Sequence, residues 1–85
     1  MSRLIPAAER ILRARALIQK ARELPIPPEG GRHDFSYIAN VKDLLRQARD
    51  LVKFISMTPS ATAEIKEEVK KIYQEADQAD QEILY

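Results

Sequence analysis

The side chains able to do chemistry are few. One histidine, His33, and no cysteine occur among 85 residues. This removes cysteine nucleophiles, disulfides, thiolate metal sites and iron–sulfur clusters, and leaves no histidine-based metal site within one chain. Ser36, His33 and Asp34 are suitable types for a nucleophile, base and orienting acid. They are, however, sequence neighbours beside Gly30-Gly31, with no scaffold to set their geometry. Asp34 or Ser36 is better read as a helix N-cap, and His33 as an exposed loop side chain. The glycine pair opens neither a P-loop nor a dinucleotide fingerprint. Glu64 and Glu68 stand one helical turn apart as solvated neighbours, and no Glu-x-x-His pair exists for a di-iron bundle. The expectation is a non-enzyme with no catalytic residue, no cofactor and no metal site.

Charge is the next resource. The net value of +1 conceals a gradient: residues 1–24 hold six basic and two acidic side chains, whereas residues 58–85 hold three basic and seven acidic ones. Arg15 and Arg22 lie seven apart on the first segment, and Glu68, Glu75 and Glu82 lie seven apart on the last. In parallel helices those rows would face one another, as flanking charges do in coiled coils. The same residues, Arg15, Arg22, Glu75 and Glu82, could instead orient a partner in a groove between those helices. Arg3, Arg10, Arg13 and Lys20 remain as an outer basic face. Phosphate neutralisation needs clustered cations, but no aromatic lies among these four to stack bases, so nucleic acid and membrane are the lesser expectations.

Apolar side chains outside the regular rows are the clearest pointer to a partner. Ile5 and Leu12 sit seven apart on the back of the first helix, near Ala8 and Ala16, and form the expected docking pair. Phe54 falls on the back of the second helix, and Phe35, Tyr37 and Tyr73 are expected to cap or edge the core. Two short signals are weaker. Pro25-Ile26-Pro27-Pro28 has the spacing of a polyproline ligand but suits a stiff linker, and Thr58-Pro59 has the form of a phosphorylation site but suits a helix start.

These side chains must be positioned by helices. Apolar residues alternate at three and four in three stretches: Leu4, Ala7, Ile11, Ala14, Ile18, Ala21; then Ile38, Val41, Leu45, Ala48, Val52, Ile55; then Ile65, Val69, Ile72, Ala76, Ala79, Ile83. Leu44 and Leu51 widen the second stripe. No stretch alternates at period two. Prolines and glycines mark the breaks, which predicts helices over about 4–24, 35–57 and 59–84, joined by a loop over 25–34. The fold expected is all-α: an antiparallel up-down-up three-helix bundle with coiled-coil-like heptad seams, forming one domain over 1–85. The short second turn makes helices two and three antiparallel neighbours. Alanines on the seams should let the backbones approach closely.

The arginine-rich, acid-poor first 24 residues also have the composition of a cleaved mitochondrial presequence, but the regular seam favours a structural helix. The function expected is non-catalytic protein–protein interaction, as an adaptor or scaffold presenting a helix face or groove to another protein, most simply to a helix. A second copy of the chain is the alternative partner, and a basic-helix binder of nucleic acid or anionic membrane the next. An intracellular, cytoplasmic setting is the expected location.

Overall fold

The computed structural model describes residues 6–55, 57–59 and 61–85. It contains three long helices, α1 (Ala7–Glu23), α2 (Phe35–Val52) and α3 (Ala63–Leu84), with a single 3-10 turn, Gly31–His33, ahead of α2. Among the described residues there is no strand. All three helices pack against one another, with α1 and α2 making the most extensive pair.

The core is built from the middle of the predicted rows, since Ala7, Ile38, Ile65 and Ile83 toward the row ends are half-buried and Leu4 lies outside the described residues. Ile11, Ala14, Ile18 and Ala21 of α1, Val41, Leu45, Ala48 and Val52 of α2, and Val69, Ile72, Ala76 and Ala79 of α3 are all buried, together with Ile55 beyond the end of α2. Among the described residues, no polar or charged one is buried with them. The spacing of three and four keeps each row on one face, because 3.6 residues complete a turn. Five of the twelve helical members are alanine and are fully buried, so small side chains alternate with Ile, Leu and Val along the seams. Tyr37 and Leu44, two turns apart, join this core on the face that Leu51 continues.

Ion pairs reveal the helix directions. Arg15 contacts Glu68 and Glu75, and Arg22 contacts Glu82, so residue numbers rise together and α1 and α3 run parallel. Lys42 meets Asp80 while Arg49 meets Asp77, so numbers run oppositely and α2 is antiparallel to α3. The topology is up-down-up.

The helix ends differ from expectation in instructive ways. Pro6 stands just before α1 rather than inside it, and its carbonyl accepts the first helical bond from Arg10 N–H at 3.0 Å. Pro25 follows the extended Leu24, which ends the helix because a residue preceding proline avoids the α region. Gly30 adopts φ +78°, a left-handed conformation costly for any side chain, and turns the chain into the 3-10 segment. Of the two candidate caps, Asp34 is the one used: its Oδ1 accepts from Tyr37 N–H at 2.9 Å.

The second connection is longer than predicted. α2 stops at Val52, not near 57, and α3 starts at Ala63, not 59. Between them the chain folds into successive tight turns, with Ile55, Met57, Thr58 and Ala61 N–H groups each bonded three residues back. Thr62, not Thr58, caps α3 by accepting from Ile65 N–H at 3.1 Å. Thr58 Oγ1 donates instead to the Phe54 carbonyl at 3.0 Å. Threonine and serine hydroxyls compete for backbone groups in this way, and a stretch holding Thr58, Pro59 and Thr62 favours turns over a helical first turn. Ile55 is still carried into the core, which is why the periodicity ran past the helix end.

Candidate functional site

Three helices packed around one seam leave three outer grooves, and the charges treat them differently. On the α3 side of α1, Arg15 Nη2 lies 2.6 Å from Glu68 and its Nε 3.4 Å from Glu75, while Arg22 hydrogen-bonds Glu82. Arg15 holds the Glu68 carboxyl below the ordinary carboxylate range, and Glu68 in turn raises the guanidinium further above its own. Arg22 and then Gln78 lower Glu82 in the same way. Arg15, Arg22, Glu75 and Glu82, expected as possible partner contacts, are therefore engaged with one another. Guanidinium groups have the reach to bridge neighbouring helices, and their pairing straps α1 to α3 across this groove. The α2–α3 side carries the lighter bridges Arg49–Asp77 at 2.8 Å and Lys42–Asp80 at 3.9 Å.

The α1–α2 side is different. An open groove of about 650 Å³ runs there, lined by Arg10, Arg13, Ala16, Leu17 and Lys20 from α1 and by Gln47, Asp50 and Leu51 from α2. Its volume falls within the range of about 300–1,000 Å³ typical of ligand clefts, but it opens sideways to solvent as a trough. Leu17 and Leu51 are half-buried against the core and supply an apolar floor. Helical periodicity explains the segregation: Arg10, Arg13, Leu17 and Lys20 lie on one flank of the α1 seam, and Arg15 and Arg22 on the other.

Three of the four residues expected as a basic face, Arg10, Arg13 and Lys20, thus rim this groove; Arg3 lies outside the described residues. Their states differ. Arg13 is held by Glu9 at 3.0 Å on its own helix. Arg10 and Lys20 have no carboxylate within 4.0 Å among the described residues. Arg10 Nε is shielded from solvent and has no hydrogen-bond partner there. On the opposite wall Gln47 donates to Asp43 at 2.7 Å. With Arg46 it keeps the Asp43 carboxyl below its ordinary value.

Of the expected docking pair, Leu12 is 67% exposed on the back of α1, and Ile5 lies outside the described residues. Leu12 is one turn from Ala16, so the back face adjoins the groove rim. Phe35 is 88% exposed rather than edging the core, while Tyr37 is 6% exposed and inside it. The difference follows from position: Phe35 is the first residue of α2, pointing away from the seam, and Tyr37 shares a seven-residue row with Leu44 and Leu51. Phe54 and Met57 are exposed in the second connection, with Lys53 Nζ 5.5 Å from the centre of the Phe54 ring.

The groove floor was the feature missed by reading the seams alone. Its signal was present as two secondary rows, Arg10-Leu17-Leu24 and Tyr37-Leu44-Leu51, each spaced by seven. Among the described residues, no group of three His, Asp or Glu side chains is placed to hold a metal, and no helix is long and apolar enough to cross a membrane. Comparison with known proteins returned no matching family model, no matching curated protein and no matching solved structure.

Proposed function

We propose that this protein is a non-catalytic interaction module, an adaptor or assembly piece, that takes a segment of another protein into the α1–α2 groove. One observation carries the reading: of the grooves flanking α1, the one toward α3 is strapped by the chain's own ion pairs, and the one toward α2 is open, apolar at its floor and cationic at its rim. Half-buried leucines beside a trough are the surfaces on which helix-in-groove recognition relies, with apolar anchors giving affinity and rim charges setting orientation. This moves the docking surface from the back of α1 and the α1–α3 groove, where the sequence pattern put it, to the other flank of α1. The module is proposed to act inside the cell, in the cytoplasm, where a small cysteine-free domain needs no disulfide for its integrity.

The test is a selection of helical peptides, unbiased in charge, against the full chain, with amide chemical shifts locating each selected peptide. Binders should perturb residues of the groove. Leu17→Asp and Ala16→Gln, each with an unchanged helical circular dichroism spectrum, should remove binding. Absence of binders, binders that map elsewhere, or binding that survives both substitutions would overturn the proposal.

A further inference from the structure

The chemistry of the occupant can be read from the rim, given that the groove is the docking site. We infer that it is an acidic amphipathic helix, lying along the groove with its apolar stripe on Leu17 and Leu51 and its carboxylates on the α1 edge. The α1 wall contributes Arg10, Arg13 and Lys20, and the α2 wall contributes Gln47 and Asp50. Arg13 already has Glu9, which leaves Arg10 and Lys20 as the cations without an internal carboxylate among the described residues. Arg10 lines the trough itself, so its guanidinium is a cation that a carboxylate of the occupant can meet.

Spacing refines the chemistry. Ten residues separate Arg10 from Lys20, about 15 Å along the helix axis at 1.5 Å per residue. A helix lying alongside would therefore offer carboxylates ten or eleven residues apart, with aliphatic residues between them at spacings of three and four. Its other flank faces Asp50 and should carry amides or a lysine rather than acids. The two walls thus bear unlike charge, which gives the bound helix a preferred direction. Nucleic acid fits less well, because Asp50 and the Glu9 carboxylate stand beside the cations and no aromatic lines the trough.

The probes are two synthetic 18-residue helical peptides sharing one leucine stripe. The first carries Glu ten residues apart on one flank and Gln elsewhere; in the second, Lys replaces Glu. Titration against the full chain should show the Glu peptide binding on the order of tenfold more tightly than its Lys twin. Arg10→Glu combined with Lys20→Glu should erase or invert that preference without altering the circular dichroism spectrum. If the Lys twin binds as well as the Glu peptide while Leu17→Asp still abolishes binding, the acidic occupant is refuted and the groove stands. If neither peptide binds, or Leu17→Asp has no effect, the inference fails together with the groove. Tighter binding of a poly-uridine oligonucleotide or of phosphatidylserine vesicles, lost in the Arg10/Lys20 variant, would also overturn it. So would a concentration-dependent dimer in sedimentation that Leu17→Asp dissolves, since the occupant would then be a second copy.

Discussion

Leu45 and Leu12 are the same residue type on neighbouring helices, and their opposite burial gives a sharp test of the architecture. Leu45 is fully buried at the centre of α2, while Leu12 is two-thirds exposed on the back of α1. Leu45→Ala removes three carbon groups, about 2.4 kcal/mol at roughly 0.8 kcal/mol each, before any cavity contribution. Surrounding helices relax only partly into such a space, so a cavity contribution adds to this. The total should reach about 3–4 kcal/mol, inside the range of about 2.7–5.0 kcal/mol found for buried Leu→Ala changes. For a chain this size, at roughly 0.05–0.15 kcal/mol per residue, that is a large share of the whole stability. Leu12→Ala should change stability by no more than about 0.5 kcal/mol. Urea titration followed by circular dichroism measures both. With a slope near 1 kcal/mol per molar, the Leu45 variant should lose about 3 M in midpoint, or fail to fold at all. A loss below about 1 kcal/mol at Leu45, or equal losses at both positions, would refute the shared aliphatic interior on which the groove depends.

Other outcomes follow from the same contacts. Thr62→Ala should cost about 1 kcal/mol through loss of the α3 cap, more than Thr58→Ala, whose hydroxyl only donates within a turn; equal urea midpoints for the two would contradict the placement of the α3 start. Acid should weaken the bundle through Glu68 and Glu82. Their folded pKa values lie below the unfolded ones, so their stabilisation is present above the ordinary carboxylate range near pH 4.3 and is lost as pH falls through the depressed folded values. Arg15→Gln combined with Arg22→Gln should flatten that acid limb of the midpoint-versus-pH curve, and parallel curves for variant and parent would show the straps to be idle. Ala76→Leu, at a fully buried seam position, should destabilise by about 1–3 kcal/mol through overpacking, as thermal unfolding would reveal; a neutral or stabilising result would mean that the helices are not in close approach there.

Ile18, Leu45 and Ile72 are buried as their three-four spacing requires, because helical periodicity is a local property that each segment carries alone. The facing of Arg15 and Arg22 against Glu68, Glu75 and Glu82 was likewise legible, since two rows spaced by seven on parallel helices can meet on only one pair of flanks. The ends of α2 and α3 were not. Ile55 continues the apolar rhythm after the helix has become a series of turns, and Thr58 and Thr62 offer chemically equal caps; the choice between them depends on how far the chain must travel to set α3 beside α2. The rows that floor the groove, Arg10-Leu17-Leu24 and Tyr37-Leu44-Leu51, are in the sequence, but its openness is tertiary. Leu17 and Leu51 each sit beside a seam and would be covered in some packings, and the spacing of Arg10 and Lys20 does not say what lies opposite them. Only the closing of three helices decides that the trough over Leu17 and Leu51 stays open to solvent, because that outcome depends on contacts between residues distant in sequence.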